Sequence, residues 1–408
     1  MHVLMLSDVY FPRINGVSTS IHTFRHALHQ HGVRLTIAAP EYPGHQDIPP
    51  PKEESENHTI SSHPAASHTS HEVMRIASRQ VPLDPEDRLM TRAGVKDFSR
   101  RIASADFSLV HVQTPFAAHY AGIKIAKQRS VPVIATYHTH FEEYLFHYLP
   151  IVPKHALRGL ARRTARGQCN ALDAIIVPSQ PMADTLRDYG VTAPMHVIPT
   201  GLPDSQFIRG NGLRFRATHR IGAERKVALF VGRAAFEKNI SFLLDVIHHA
   251  RAQRPDILLV IAGEGPALES LQRKSRQLSL QDHVRFVGYL PRETGLRDCY
   301  AAADVFTFAS RTETQGLVLL EAMAVGVPVL ALPALGAAEI IHPQRGAVAA
   351  IDAPEPFAGQ LVSLLDQPAK LARLGQEGIL FAREWDAATQ AGRLSELYRA
   401  LAKTKTGE

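Results

Sequence analysis

Two glutamates lie eight positions apart in the stretch RTETQGLVLLEAMAVGVPVLA, which runs from residue 311 to residue 331. Glu313 follows the apolar run VFTFAS, which predicts a buried strand, and Glu321 falls about one and a half turns into a helix predicted to begin near Gly316. Carboxylates accept hydrogen bonds from sugar or ribose hydroxyls, and free amides at a helix start can bind a phosphate. Those amides belong to Thr314, Gln315, Gly316 and Leu317. Taken alone, the spacing equally fits a Glu313 that complements the helix dipole and a Glu321 on the surface.

Two cations follow another apolar run, in the segment VGRAAFEKN. Arg233 and Lys238 come after the predicted strand KVALFVG (226–232) and before a helix predicted from Ile240 to residue 252. An arginine fork and a lysine point charge are suited to neutralising a diphosphate, above all when it departs as a leaving group. The segment predicts a phosphate site, with a solvated basic turn as the alternative.

The first half of the chain offers two further candidates. Gly16, in FPRINGVSTS after the predicted strand HVLML, would let the backbone approach a phosphate or sugar, but it also fits an ordinary turn. His138 ends the predicted strand PVIATYH, where an imidazole can donate to a sugar hydroxyl. Because His140 lies two positions further on, the choice between the two rings stays open.

Apolar strand patterns alternate with amphipathic helical patterns along most of the chain. The turn-rich segment PTGLPDSQF (199–207) interrupts this alternation, which restarts at residue 226. We therefore predict an α/β protein with two doubly wound Rossmann-like domains, over residues 1–200 and 201–380, and a terminal helix within 381–408 that returns to the first domain. Open α/β sheets bind ligands at the carboxyl ends of their strands, so the candidate residues belong in a crevice between the domains.

The composition excludes several classes of protein. The 408 residues include only two cysteines, Cys169 and Cys299, which give no disulfide framework and indicate a reducing compartment. No run approaches the ~20 apolar residues of a membrane-spanning helix, and the first apolar run is too short for a signal peptide, so we expect a cytoplasmic protein. The net charge of +6 favours anionic partners without choosing among phosphates, lipids and nucleic acid. Residues 45–71 show no strand or helix period and predict a loop rather than a histidine metal site.

With these segments in view, the chain resembles the retaining glycosyltransferases of family 4. The resemblance extends over nearly the whole chain and is carried by FPRINGVSTS, TYHTHFEEY, IPTGL, VGRAAFEKN and above all ETQGLVLLE. It implies the GT-B arrangement, in which two Rossmann-like domains face each other across a cleft.

The resemblance also implies a role for each candidate residue. It assigns Arg233 and Lys238 to the donor diphosphate, Gly16 to its approach from the other domain, Glu321 to the ribose, Glu313 to the donor sugar and His138 to the sugar and acceptor. The segment Val287–Leu290 would line the base pocket, through Gly288, Tyr289 and Leu290.

Transfer with retention is the implied reaction, in which the acceptor hydroxyl attacks the face that the nucleoside diphosphate leaves. A donor phosphate oxygen takes the proton. The expected donor is a UDP-sugar, with a GDP-sugar as the alternative. No metal and no cofactor are expected, because Arg233 and Lys238 can supply the positive charge.

A basic segment suggests the acceptor. Its basic residues are Lys154, Arg158, Arg162, Arg163 and Arg166, with no acid among them. The region resembles the acceptor side of diacylglycerol glucosyltransferases and phosphatidylinositol mannosyltransferases, and clustered basic residues are attracted to anionic lipid surfaces. We therefore predict a membrane-lipid acceptor, peripheral docking on the inner face of the membrane and no nucleic-acid partner. A solvated basic helix, a soluble acceptor and a non-catalytic nucleotide-sugar binder stay open as alternatives.

Two other enzyme classes fit less well. A nicotinamide-dependent oxidoreductase would need a third glycine where GEGPAL, starting at Gly263, has Leu268. A glycoside hydrolase could use two carboxylates but has no use for a phosphate site formed by Arg233 and Lys238.

Overall fold

The structure is a computed structural model that describes residues 1–44, 72–81, 84–138 and 154–406. The loop predicted over 45–71 and His140 lie outside the described residues. The chain divides into two compact units. The first comprises Met1–Thr136, Ala171–Ala174 and Ser395–Glu408, and the second comprises Tyr137–Asn170 and Ile175–Leu394. The predicted domain boundaries at residues 200 and 380 stay predictions.

Parallel strands form the centre of the first unit. Its strands are β1 (His2–Leu6), β2 (Arg34–Pro40), β3 (Glu72–Ile76), β4 (Ser78–Val81), β5 (Asp84–Met90), β6 (Leu109–Val112) and β7 (Val133–Thr136). Five of them pair in parallel in the order β3-β2-β1-β6-β7, while β4 and β5 form an antiparallel hairpin. Strands β3, β4 and β5 were not expected from the sequence, since charged runs such as DPEDRLM lack apolar alternation and depend on pairing with a neighbour.

Three helices follow strands of this unit: α1 (Gly16–Gln30), α2 (Arg92–Arg101) and α3 (Ala117–Arg129). Helix α1 begins at Gly16 because Asn15 caps it, accepting a hydrogen bond from the Ser18 amide at 2.9 Å. Helix α3 has no such cap of its own. The buried Asp8, just after β1, accepts a hydrogen bond from the Ala118 amide instead, and burial raises the Asp8 pKa to about 6. Strand β1 thus fixes the start of α3.

The second unit contains a six-stranded parallel sheet. After β7 the chain forms two short strands, β8 (Ala174–Val177) and β9 (Met195–Val197), which are not part of this sheet. The six strands of the sheet are β10 (Lys226–Val231), β11 (Ile257–Ala262), β12 (Val284–Gly288), β13 (Val305–Phe308), β14 (Val329–Ala331) and β15 (Ala347–Ala349). The sheet order is β12-β11-β10-β13-β14-β15, which is the 3-2-1-4-5-6 order of a Rossmann fold. Strands β10 and β11 are almost entirely buried, as continuous apolar runs in a doubly covered sheet should be. The predicted α/β class is confirmed.

Eleven of the described helices follow β7 along the chain. The remaining helices are α4 (Lys154–Cys169), α5 (Gln180–Asp188), α6 (Gly212–Thr218), α7 (Ile240–Gln253), α8 (Leu268–Gln277), α9 (Arg297–Ala301), α10 (Leu317–Ala324), α11 (Ala337–Ile341), α12 (Pro354–Leu365), α13 (Pro368–Arg383) and α14 (Ala387–Thr406). Short 3-10 turns occur at Asp204–Phe207 and Phe236–Lys238, and a π-helical turn at Arg292–Leu296. Both cysteines are buried and free.

The last residues of α14 are part of the core of the first unit. Tyr398 is fully buried, and its hydroxyl oxygen lies 2.6 Å from Nδ1 of His111 on β6. The other ring nitrogen of His111 lies 2.7 Å from the Thr136 hydroxyl on β7. Nearby, the Arg399 guanidinium donates to the His31 carbonyl after α1. A buried polar chain therefore ties the end of α14 to two neighbouring strands.

Tyr398→Phe removes only the hydroxyl of this chain, and we expect it to lower the free energy of unfolding by about 1–3 kcal/mol, because buried His111 loses a partner. Urea or thermal denaturation measures the change. Glu396→Ala, at an exposed position of the same helix, is the control and should leave stability unchanged. A Tyr398→Phe protein as stable as the wild type would contradict this account.

Candidate functional site

The predicted phosphate and sugar residues follow two neighbouring strands. Strands β10 and β13 pair directly in parallel, and the strand order reverses between them. The loop with Arg233 and Lys238 follows β10, and the loop with Glu313 follows β13. A reversal of strand order leaves a crevice at the carboxyl edge, which is where open α/β sheets bind ligands. Two segments about 75 positions apart in sequence thus meet at one edge.

An ion pair joins these two loops. Lys238 Nζ donates to Glu313 Oε2 at 2.6 Å, and the two side chains are 24% and 19% exposed. Burial acts to lower the pKa of Lys238, but the charge and hydrogen bond of Glu313 outweigh it, so the pKa lies above its usual value. The charge of Arg233 also acts on Lys238, which indicates that both cations lie near each other. Glu313 therefore does more than complement a helix dipole.

Hydrogen bonds between the two loops fix their geometry. Asn239 adopts a left-handed conformation with φ of 53° at the start of α7, and its side-chain amide donates to the Ala309 carbonyl at 3.1 Å. The Ser310 hydroxyl donates to the Glu237 carbonyl at 3.2 Å. Because these contacts flank Lys238, its position depends on both strands.

Glycines after β11 support the Arg233 loop, a role that the sequence analysis missed. The Ala234 amide donates to the Glu264 carbonyl at 2.9 Å, and Gly263 has a φ of 136°. A Cβ at Gly263 would collide with the Gly232 carbonyl oxygen, and one at Gly265 would lie 2.7 Å from the Ala234 carbonyl oxygen. The glycine pair in GEGPAL thus permits close packing of two loops. The G-x-G spacing was the available signal.

The segment from Thr314 to Leu317 leads into helix α10. Gly316 has a φ of 93°, which favours glycine. Leu317 is the first helical residue, and the amides of Leu317 and Val318 come before the first acceptor bond, from the Leu319 amide to the Gly316 carbonyl at 2.9 Å. The two polar side chains are engaged elsewhere. The Thr314 hydroxyl donates to the His138 carbonyl at 2.7 Å, and the Gln315 side chain bonds to both the amide and the carbonyl of Thr200. Only the backbone of this segment is therefore available to a phosphate.

Glu321 lies inside the unit and not on its surface. It is 3% exposed on helix α10. One carboxylate oxygen accepts a hydrogen bond from Arg292, and the other accepts one from the Tyr300 hydroxyl at 2.9 Å. Sequence reasoning missed both partners.

The predicted base segment spans the end of β12 and the two residues after it. Gly288 ends the strand, and its carbonyl accepts a hydrogen bond from the Gly263 amide at 2.8 Å. Tyr289 is 50% exposed, while Leu290 is partly buried against the core of this unit. An exposed aromatic ring beside the glycine turn offers a surface on which a base can stack.

Two predicted residues do not belong to the loops after β10 and β13. His138 is partly buried just after β7, and burial lowers its pKa to about 4, so its ring is neutral at pH 7. Gly16 belongs to the first unit and is the exposed first residue of α1, where a Cβ would meet nothing within 4 Å. Their predicted roles stay predictions.

The basic residues of α4 lie partly on an exposed surface. Arg162, Arg163 and Arg166 are exposed, and Leu160 beside them is 57% exposed. The Arg162 guanidinium lies 5.1 Å from the centre of the Tyr189 ring. The side chains of Lys154 and Arg158 lie outside the described residues. Along the part of the chain that the structure describes, no helix is both long and apolar enough to cross a bilayer.

Two family models match nearly the whole chain in sequence. Residues 14–206 match Glycosyltransferase Family 4, and residues 213–381 match Glycosyl transferases group 1. The alpha-monoglucosyldiacylglycerol synthase of Streptococcus pneumoniae is 33% identical over 342 residues, which cover 81% of this chain and 71% of that protein. The chain belongs to glycosyltransferase family 4.

A second relative and a solved structure are also similar to this glycosyltransferase. The GDP-mannose-dependent alpha-(1-6)-phosphatidylinositol monomannoside mannosyltransferase of Mycolicibacterium smegmatis is 32% identical over 219 residues, covering 51% of this chain and 57% of that protein. The crystal structure of HepE from Anabaena, in complex with UDP and glucose, matches with a TM-score of 0.74 and 17% identity over 98% of this chain and 100% of that one. The fold is GT-B, and the chain is a hexosyltransferase.

Gly263→Ala tests the support of the Arg233 loop. We expect it to lower the glycosyltransferase activity at least about 10-fold, because the loop must shift and small misplacements of a catalytic group are costly. The free energy of unfolding should also fall, by about 1–3 kcal/mol. Steady-state transfer rates and melting temperatures measure both effects.

Gly359→Ala within α12 is the matched control. A Cβ there would meet nothing within 4 Å, so activity should be retained and stability should stay equal or rise by about 0.5–1 kcal/mol. Equal activity in both variants would mean that the Gly263 turn does not position Arg233.

Proposed function

We propose that this glycosyltransferase moves a hexose, with retention, from a nucleoside diphosphate sugar to a hydroxyl of a membrane lipid. The observation that carries the proposal is the 2.6 Å pair of Lys238 and Glu313, beside Arg233, at the carboxyl edge where the strand order reverses. In this proposal Lys238 binds a phosphate and Glu313, paired with it, binds the sugar. A diphosphate linked to a hexose has the same two groups next to each other.

The diphosphate binds to the cationic loop in this proposal. Lys238 is charged at neutral pH, because its pKa lies above the usual value, and Arg233 adds a fork of N–H donors. The first amides of α10 add partial positive charge from the neighbouring loop. These groups bind the donor and stabilise the additional charge of the departing diphosphate.

The reaction exchanges two bonds at the anomeric carbon. The bond from that carbon to the diphosphate oxygen breaks, and the acceptor hydroxyl oxygen forms its bond on the same face. The hydroxyl proton passes to a phosphate oxygen of the leaving nucleoside diphosphate. Glu313 accepts hydrogen bonds from hexose hydroxyls and Glu321 from the ribose, so no covalent nucleophile is assigned. Neutral His138 can donate to a sugar hydroxyl near the acceptor.

A lipid acceptor is supported by the exposed arginines of α4 and by the names of two relatives, which contain diacylglycerol and phosphatidylinositol. Arginines that face an anionic surface contribute ~1 kcal/mol each to binding. The proposed location is the inner face of the membrane. UDP is the favoured nucleotide of the donor and GDP the alternative, since the printed names of similar proteins include both.

Lys238→Met tests the site. With UDP-glucose or GDP-mannose as donor and diacylglycerol or phosphatidylinositol as acceptor, we expect mass spectrometry to show a glycolipid for the wild type. We expect a rate at least about 100-fold lower for Lys238→Met, because it removes a charge that stabilises the leaving group.

The Lys274→Met variant is the matched control. Lys274 on α8 pairs with Asp245 on α7 at 2.6 Å and is 28% exposed. The variant therefore loses an ion pair of the same type as Lys238→Met does, but one that joins two helices and not the loops after β10 and β13. It should keep full activity. Full activity of folded Lys238→Met would exclude the proposed phosphate role, and transfer only to soluble sugars would exclude the lipid acceptor.

Replacing Arg163 and Arg166 together by alanine tests membrane docking. Two lost charges at ~1 kcal/mol each predict about 30-fold weaker binding to phosphatidylglycerol vesicles, measured by co-sedimentation at low salt. The pair Arg273 and Arg276 on α8 is also exposed, and its double alanine variant should bind like the wild type. Equal losses in both variants would indicate a general charge effect and not a docking helix.

A further inference from the structure

Two side chains to which the sequence analysis gave no role donate hydrogen bonds to Glu321. The Tyr300 hydroxyl on α9 donates to one carboxylate oxygen at 2.9 Å, and the Arg292 guanidinium donates to the other. Tyr300 is 2% exposed and Glu321 is 3% exposed. A buried carboxylate without partners would be costly, so these two donors make its charge tolerable.

The backbone around Arg292 is also unusual. Arg292 is the first residue of a π-helical turn, in which the Leu296 amide donates to the Pro291 carbonyl at 2.9 Å. Single π turns are rare and frequently occur at functional sites. This turn joins the base segment after β12 to α9, so Arg292 and Tyr300 are carried by consecutive elements.

Counting hydrogen bonds shows what remains for a ligand. A carboxylate has about four lone-pair positions, two on each oxygen. Among the described residues, Arg292 uses one position on Oε1 and Tyr300 uses one on Oε2. One acceptor position therefore remains on each oxygen, which matches the two donors of a vicinal diol such as the 2′- and 3′-hydroxyls of ribose.

We propose that Arg292 and Tyr300 are positioning residues, which fix the Glu321 carboxylate so that each of its oxygens accepts one hydroxyl of the donor ribose. This inference rests on the proposed function, in which Glu321 binds the ribose. The pKa of Tyr300 is raised well above its usual value, mainly by burial and further by Glu321. The hydroxyl therefore stays protonated and stays a donor. The pKa of Arg292 is raised by the charge of Glu321, so the guanidinium stays charged.

The test compares two nucleotides in each variant. Isothermal titration calorimetry measures the Kd of UDP and of 2′,3′-dideoxy-UDP, or of the guanine pair if the wild type binds GDP more tightly. For the wild type we expect a Kd about 100-fold lower for the ribose nucleotide than for the dideoxy analogue. The analogue lacks the two hydroxyls, so the Glu321 oxygens would be left as unpaired acceptors. For Tyr300→Phe and Arg292→Met we expect this preference to fall to about 10-fold or less.

Conservative and control variants separate positioning from folding. Arg292→Lys keeps a charged donor and should restore part of the preference. Arg297→Met, five residues further along, should keep the wild-type preference, and melting temperatures identify variants that fail to fold. Equal weakening of both nucleotides in Tyr300→Phe, with the preference unchanged, would show a merely structural role and overturn the proposal.

The failure of the proposed function looks different. If the wild type bound neither UDP nor GDP, the proposed nucleoside diphosphate sugar donor would be excluded. A wild type that binds the ribose and dideoxyribose nucleotides equally would leave the donor site in place but would exclude Glu321 as a ribose ligand, and with it the positioning role.

Discussion

The ion pair of Lys238 and Glu313 is the interaction on which the geometry of the candidate site depends. Each partner sits on a loop after a different strand, so the pair forms only because β10 and β13 are neighbours in a parallel sheet. At 24% and 19% exposure the pair is shielded enough for each charge to act strongly on the other. The charge of Glu313 also keeps Lys238 protonated, which the proposed phosphate-binding role requires.

A second set of contacts organises the other glutamate. Glu321 lies in the interior, where a charge is stable only with donors around it, and Arg292 and Tyr300 are those donors. The two acids of one sequence motif are thus held in different ways. Glu313 depends on a cation from the neighbouring loop, whereas Glu321 depends on a π turn and on the short helix that follows it.

The positions of several site residues were predictable from local sequence patterns. The apolar runs before Arg233 and before Glu313 predict buried strands, and parallel strands in a Rossmann fold bring their carboxyl ends to one edge. The partners of Glu321 could not be found in this way. Tyr300 and Arg292 lie 21 and 29 positions before Glu321, and no periodicity connects a side chain to a distant carboxylate. The hairpin of β4 and β5 was missed for a related reason, since its charged residues form strands only through pairing with each other.

The buried chain of Tyr398, His111 and Thr136 has a consequence for biosynthesis. Its contacts link residues that are 287 and 25 positions apart, so one of its members is translated long after the other two. As the polypeptide leaves the ribosome, strands β6 and β7 are complete while the tyrosine that covers His111 has not been made. The first unit consequently reaches its final packing only after most of the second has been synthesised.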